Sequence, residues 1–151
     1  MAAQNFQVAI IGTEETYALR TAVLRAGTPT ADPKYAEDLK PGTIHLGIFD
    51  EHKNLIATST WVINPWQDDP SATAIQLRGM AVATSHQKSG LGKLLLDAGI
   101  SHAKKHDAKY IWAKARDSAL AFYLRNSFVS VGDGFTESVT QMPHHLVVSK
   151  I

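Results

Sequence analysis

The chain has 151 residues, of which 44% are hydrophobic and 19% charged, which is enough for one substantial core but short for two. Fifteen lysines and arginines stand against fourteen acidic residues, and this balance argues against a surface that binds nucleic acid or an anionic membrane. The absence of cysteine excludes disulfides, thiolate zinc sites and a cysteine nucleophile. No apolar run approaches the roughly 20 residues of a membrane-spanning helix, and the first residues lack a signal-peptide pattern. We expect one domain over residues 1–151 in the cytoplasm, with no membrane or nucleic-acid partner.

The first half of the chain predicts three strands and two helices. A β-branched run over residues 6–11 predicts a strand, and a turn followed by acidic residues starts a helix that reaches about Arg25 with imperfect apolar spacing. Residues 33–39 predict a short second helix, which ends before a Pro-Gly pair. Two β-rich runs, 43–49 and 54–63, are joined by a short polar segment and predict an antiparallel hairpin.

The next run, AIQLRGMAV, changes its apolar parity at Gly79. Ile75 and Leu77 occupy one parity, whereas Met80 and Val82 occupy the other. A strand keeps one apolar face only if the parity is constant, so the change favours a β-bulge that splays the sheet and frees backbone polar groups. The alternative is a strand buried on both faces, in which parity carries no information.

A leucine-rich helix follows this strand. Leu91, Leu94, Leu95 and Ala98 have the i, i+3, i+4, i+7 spacing of an amphipathic helix that reaches about His106. The later runs predict a strand, a short helix and two further strands, at residues 109–115, 118–126, 128–135 and 144–150, respectively. The strand before the leucine helix and the strand after it then form a parallel βαβ unit inside an otherwise antiparallel sheet.

The segment HQKSGLGKLLLDAG places two glycines and two lysines at the start of this helix. Unpaired N–H groups and the positive end of the helix dipole make such a start a candidate anion site. A P-loop is excluded because Gly92-Lys93 is followed by Leu94. A dinucleotide fingerprint is excluded because Leu95 replaces its third glycine.

The spacing Gln87-x-x-Gly90-x-Gly92 after a bulged strand resembles the pyrophosphate loop of the GNAT superfamily of acyl-CoA-dependent N-acyltransferases. The stretch ALAFYLRNSF is similar to a second element of that family through three residues, namely Ala119, Tyr123 and Phe128. The resemblance extends over essentially the whole chain.

The resemblance implies a mixed α+β fold. Its central twisted sheet would be mostly antiparallel, with about six or seven strands, a parallel βαβ unit splayed at the β-bulge, and about four flanking helices. The implied reaction is direct transfer of an acetyl group from acetyl-CoA to a primary amine of a small molecule or peptide, without a covalent enzyme intermediate and without a metal. The sequence does not identify the acceptor, and a homodimer is common in such families.

The resemblance also assigns residues of the bulged strand, the glycine-rich loop and the last helix to coenzyme A binding. They are Met80, Ala81, Val82, Gln87, Lys88, Ser89, Gly90, Leu91, Gly92, Lys93, Ala119, Phe122 and Tyr123. The main-chain N–H of Met80 would stabilise the oxyanion, and Tyr123 would act as the general acid for the departing thiolate. The alternatives are a solvated pair for Lys88 and Lys93, and a structural Tyr123 with a satisfied hydroxyl.

The general base stays open among six residues, namely His45, Asp68, Asp69, Glu137, His144 and His145. Two positions depart from the family pattern. Ser127 stands where the family usually has glycine, so we expect the helix to end with Asn126 in the left-handed conformation. Arg116 stands where many members have asparagine, so the contact of that asparagine with the pantetheine arm is not transferred.

Two other functions compete with acetyl transfer. One is a catalytically silent acyl-CoA-binding or regulatory domain on the same fold. The other is a nucleotide-phosphate binder, which the incomplete P-loop and dinucleotide motifs disfavour.

Overall fold

A computed structural model describes residues 5–151 and contains one seven-stranded sheet. Its strands are β1 (Val8–Ile11), β2 (Ile44–Phe49), β3 (Leu55–Ile63), β4 (Ala74–Val82), β5 (Tyr110–Arg116), β6 (Val129–Thr136) and β7 (Pro143–Lys150). They lie in the order β1-β2-β3-β4-β5-β7-β6, and every neighbouring pair is antiparallel except β4 and β5. The predicted mixed α+β fold is therefore confirmed.

The helices are α1 (Tyr17–Leu19), α2 (Leu91–Lys105) and α3 (Leu120–Arg125). A 3-10 turn (Glu14–Thr16) leads into α1 and a π turn (Arg20–Leu24) continues it, which accounts for the imperfect apolar spacing of this segment. The predicted second helix is only a 3-10 turn, Ala36–Leu39. Within residues 5–151, no helix has the length and apolar character needed to cross a membrane.

The predicted bulge is present in β4. Thr58 of β3 pairs with Ala81 and Thr60 pairs with Arg78, so two residues of β4, Gly79 and Met80, lie opposite a single residue of β3. Gly79 has φ +58°, a left-handed value that a side chain would make costly.

Beyond the first part of β4, the sheet separates. The parallel pairing of β4 with β5 runs only from Ala74 with Tyr110 to Gln76 with Trp112. The later residues of β4, on either side of the bulge, have no partner on β5. An open cleft begins at this point.

The larger core lies between the sheet and α2. Trp61 is fully buried, and its Nε1 donates a hydrogen bond to Oγ of Ser59 over 2.8 Å. A Cβ on Gly99 would lie 1.9 Å from Cζ2 of Trp61, so α2 packs against the indole only because residue 99 has no side chain. On the opposite face, Trp66 and Trp112 pack with ring centroids 5.7 Å apart, so all three tryptophans belong to the core.

The expected end of α3 is wrong. Ser127 takes the left-handed conformation at φ +71°, whereas Asn126 has φ −108°. The N–H groups of Asn126 and Phe128 both donate to the carbonyl of Tyr123, and Nδ2 of Asn126 donates to the carbonyl of Phe122. Asn126 therefore caps the helix through its side chain, and the reversal falls one residue later.

Candidate active site

The cleft between β4 and β5 has a volume of about 1200 Å³. It extends from the glycine loop (residues 87–92) at the start of α2 to the π turn that follows α1. All the residues that the family resemblance assigns to coenzyme A binding line this cleft, with the exception of Ser89. The structure thus brings the bulged strand, the glycine loop and α3 together around one space.

The glycine loop reaches α2 through two left-handed residues. Lys88 has φ +63° and Gly90, at the N-cap of α2, has φ +87°. Nε2 of Gln87 donates to the carbonyl of Val82 over 3.1 Å and so ties the loop to the end of β4. The first turn of α2 contains no acidic residue, which leaves its positive end free for an anion.

The two loop glycines are needed for different reasons. A Cβ on Gly90 would meet no atom within 4 Å, so the space beside it is open to a ligand and its left-handed φ sets the requirement for glycine. A Cβ on Gly92 would lie 3.3 Å from the ring of Phe122, so here packing sets the requirement. An open cradle at a helix N-terminus fits the pyrophosphate of coenzyme A.

The lysines of the loop lie at the surface. Nζ of Lys93 is 3.0 Å from Oδ2 of Asp97, one helical turn later, and both side chains are more than half exposed. Lys88 is exposed as well. Lys93 is therefore better described as a solvated surface lysine than as a dedicated phosphate ligand.

Tyr123 is buried at the cleft wall between two aromatic rings. The ring centroids of Phe122 and Phe128 lie 5.4 and 5.2 Å from that of Tyr123, in edge-on contacts. The Tyr123 hydroxyl makes no hydrogen bond to any of residues 5–151, and burial alone shifts its pKa, which contrasts with the alternative of a satisfied structural hydroxyl. Burial raises the pKa of Tyr123 well above its ordinary value, so the phenol stays protonated at neutral pH and is able to donate.

Two of the candidate bases line the cleft, Glu137 and His144. Oε2 of Glu137 accepts hydrogen bonds from the N–H and the hydroxyl of Thr140, over 2.7 and 2.8 Å. Burial alone would raise the pKa of Glu137, but these hydrogen bonds outweigh it and hold the pKa below its ordinary value. Nδ1 of His144 lies 2.9 Å from the carbonyl oxygen of Met142, so Nδ1 carries the proton and donates. The lone pair of a neutral His144 is therefore on Nε2.

The other candidate bases lie outside the cleft wall. His45 is buried beneath it, with Nδ1 2.8 Å from Oγ1 of Thr60 and Nε2 3.1 Å from Oγ1 of Thr13. Asp69 accepts a hydrogen bond from the hydroxyl of Tyr110. The two remaining candidates are Asp68, which is exposed, and His145, which pairs with Asp117.

Comparison with known proteins identifies the family. The profile of the "Acetyltransferase (GNAT) family" matches residues 13–128. The chain belongs to this family. GNAT proteins are acyl-CoA-dependent N-acyltransferases, which confirms the class of reaction that the sequence predicts.

Individual GNAT relatives match nearly the full chain. The "Uncharacterized N-acetyltransferase YitI" of Bacillus subtilis (strain 168) is 26% identical over 144 residues, which is 95% of each chain. The structure of Escherichia coli ElaA matches with a TM-score of 0.75 at 17% identity, over 97% of this chain and 99% of that chain. An acyl-CoA N-acyltransferase from Pseudomonas aeruginosa matches with a TM-score of 0.76 at 19% identity, over 96% and 99%. The two structural matches support the GNAT fold alone.

The sequence did not predict a buried charged network around Arg20 that lies under the bulge of this GNAT protein. Arg20 is fully buried and forms an ion pair with Asp38, and its Nη2 also donates to Oγ1 of Thr60 over 2.7 Å. The guanidinium carbon of Arg20 lies 4.1 Å from the centre of the Tyr35 ring. A Cβ on Gly79 would lie 2.9 Å from this ring, so the network supports the bulge directly. The only sequence signal for it was an arginine at an inward position of an irregular helix.

Proposed function

We propose that the protein transfers an acetyl group from acetyl-CoA to a primary amine. The observation that carries the proposal is the hydroxyl of Tyr123, which has no hydrogen-bond partner among residues 5–151 and lies at the wall of the same cleft that the bulged strand and the glycine loop line. In the proposed arrangement the glycine loop binds the pyrophosphate through its N–H groups. The unpaired edge of β4 offers the N–H of Met80 to the thioester carbonyl.

The proposed reaction forms one C–N bond and breaks one C–S bond. Acetyl-CoA supplies an activated acyl carbon, which the neutral amine attacks. The amine loses one proton, and the departing thiolate gains one from the hydroxyl of Tyr123. The products are the amide and free coenzyme A. A protonated amine is not nucleophilic, so the cleft must also hold a group that accepts its proton.

We propose Nε2 of His144 as this base. The hydrogen bond from Nδ1 to the carbonyl of Met142 directs the lone pair of the neutral ring to Nε2. Nε2 makes no hydrogen bond to residues 5–151, and His144 lines the cleft. Glu137 is the weaker candidate because its lowered pKa makes its carboxylate a poor proton acceptor at neutral pH.

Two measurements on the purified protein test this function. Coenzyme A should raise the midpoint of thermal unfolding in a concentration-dependent way, because it binds only the folded chain. Acetyl-CoA together with a panel of amines should release free thiol at a rate that depends on the amine. Binding without turnover on a broad panel would favour a silent acyl-CoA-binding domain. Stabilisation by ATP or NAD but not by coenzyme A would contradict the acyl-CoA assignment.

A further inference from the structure

Arginine side chains converge on the Tyr35 ring at the end of the cleft next to the π turn. The guanidinium carbons of Arg78 and Arg25 lie 4.3 and 5.5 Å from the centre of this ring. Arg116 of β5 is held at the same end of the cleft, because its Nη2 donates a hydrogen bond to the carbonyl of Leu24 in the π turn. Side chains alternate along a strand, so Arg78 and Arg116 lie on the face of the sheet opposite to α2. This end of the cleft is therefore separate from the proposed pyrophosphate loop.

The charges of these arginines are compensated unequally. Nη1 of Arg78 is 2.6 Å from Oε2 of Glu37, so Arg78 is neutralised. In the described part of the chain, Nε of Arg25 donates to the carbonyl of Asp32 alone, over 2.8 Å. No carboxylate within residues 5–151 forms an ion pair with Arg25 or Arg116. We call these two residues the arginine pair.

The arginine pair is shielded from water. Arg25 is 9% exposed and Arg116 is half-buried. Burial lowers the pKa of Arg116 below its ordinary value, and the charge of Arg25 lowers it further, although Tyr35 and Glu137 act in the opposite direction. Two shielded positive charges in close range are costly until an anion lies against them.

We propose that the arginine pair binds an oxyanion carried by the acceptor, so that the substrate is a small amine with a carboxylate or phosphate group. The planar fork of a guanidinium binds either group through two parallel hydrogen bonds. Amino acids and amino phosphates have this chemistry, whereas a polyamine would add positive charge to a site that is already positive. The inference rests on the proposed acetyl transfer, because it names the class of the acceptor.

Matched pairs of acceptors test the inference on the wild-type protein. The panel contains the common amino acids, each beside its α-amide, together with phosphoethanolamine beside ethanolamine, and spermidine. We expect at least one anionic amine to exceed its neutral counterpart in kcat/KM by about tenfold or more, as for a charge-assisted hydrogen bond. Comparison of the amino acids with phosphoethanolamine identifies whether the bound oxyanion is a carboxylate or a phosphate. Neutral amines or spermidine that react as well as every anionic amine would overturn the inference.

Variants of the arginine pair test whether the preference for anionic amines comes from these two residues. R25Q and R116Q should raise KM for the preferred anionic amine by about tenfold and change KM for its neutral counterpart much less. R25K and R116K keep the charge but lose the two-point geometry, so we expect intermediate values. K109Q, which removes an exposed cation just before β5, is the matched control and should match the wild type. Equal losses for anionic and neutral amines would contradict the assignment.

A binding measurement separates this inference from the proposed function. With coenzyme A at saturation, the midpoint of thermal unfolding is measured with the N-acetyl derivative of each anionic amine of the panel and with that of its neutral counterpart. A larger shift for the anionic compound, lost in R25Q, supports the arginine pair even without turnover. Equal shifts overturn it, while amine-dependent thiol release that persists in the same preparation leaves the acetyl transfer intact.

Discussion

Arg20 and Asp38 form a buried two-point ion pair, with Nη1 2.8 Å from Oδ2 and Nη2 2.9 Å from Oδ1. The arginine side chain is fully buried and the aspartate side chain is 3% exposed. The pair joins the π turn to the 3-10 turn Ala36–Leu39, and the Tyr35 ring that it supports covers the bulge glycine of β4. The cleft therefore depends on a charged contact between two elements that are short and irregular.

Removing one partner of this pair should be far more costly than removing one partner of a surface pair. D38N leaves the Arg20 charge buried without a carboxylate, so we expect the free energy of unfolding to fall by about 3–5 kcal/mol. D97N is the matched control, because it breaks the exposed pair with Lys93 and should cost at most about 1 kcal/mol. Urea denaturation of both variants measures the difference. Similar losses in the two variants would contradict the structural role of Asp38.

Stability should fall in mildly acidic solution because of His45. Burial lowers the pKa of this ring below its ordinary value of 6.5, and the charge of Arg20 adds to the effect, although Asp38 opposes it. Below pH 6.5, His45 is protonated in the unfolded chain but stays neutral in the folded chain. The free energy of unfolding therefore decreases as pH falls toward the folded-state pKa.

Urea denaturation at several pH values between 7.5 and about 5 measures this dependence. H45Q should reduce it over that range and leave the part that comes from His102, whose pKa burial also lowers. H52Q, which changes an exposed histidine in the β2–β3 turn, should leave the slope as in the wild type. An unchanged slope in H45Q would show that the dependence has another source.

Loss of the Tyr123 hydroxyl should affect the chemical step and little else. Y123F removes the proposed proton donor, so kcat should fall by about 10²-fold or more. The hydroxyl has no hydrogen-bond partner within residues 5–151, so the midpoint of thermal unfolding and the affinity for coenzyme A should stay close to wild type. Y110F is the control, because its hydroxyl bonds to Asp69 away from the cleft and its loss should leave kcat unchanged. A Y123F variant with full kcat would remove Tyr123 from the mechanism.

The glycine loop should depend on its backbone more than on its lysines. Gly90 and Gly132 both have left-handed φ values, +87° and +74°, and a Cβ on either would meet no atom within 4 Å. G90A and G132A should therefore lose similar stability, about 1–2 kcal/mol each. Only G90A should weaken coenzyme A binding, because a side chain at this left-handed position strains the glycine loop and shifts the N–H groups that would bind the pyrophosphate. K93A should weaken it less than G90A, since Lys93 is paired with Asp97.

Isothermal titration calorimetry with coenzyme A compares these three variants with the wild type. Equal affinity in G90A and G132A would exclude the loop as the pyrophosphate site. A larger loss in K93A than in G90A would assign binding to charge.

Much of the sheet follows from local pattern. Runs rich in β-branched and aromatic residues placed most strands within one or two residues, and the parity change at Gly79 located the bulge because register and side-chain direction are coupled in a strand. The leucine spacing after Gly90 likewise placed the start of α2 correctly. These features depend on residues close together in the chain.

The missed features depend on contacts between distant residues. Arg20 and Asp38 are 18 residues apart, and neither has a local signal that marks it as buried. The contacts of Arg25 with the Tyr35 ring and of Arg116 with the carbonyl of Leu24 likewise depend on how the π turn packs against its neighbours. The left-handed residue after α3 is Ser127 and not Asn126, because the amide side chain of Asn126 is already used to cap the carbonyl of Phe122.

The most direct test of the central claim is to follow the acetyl group itself. The protein is incubated with acetyl-CoA labelled with ¹³C in the acetyl group and a mixture of amino acids and amino phosphates, and the products are analysed by mass spectrometry. We predict a labelled N-acetyl amine in a one-to-one ratio with free coenzyme A, with a rate reduced in Y123F. Release of coenzyme A without any labelled amide, or no release with any amine, would contradict the proposed function.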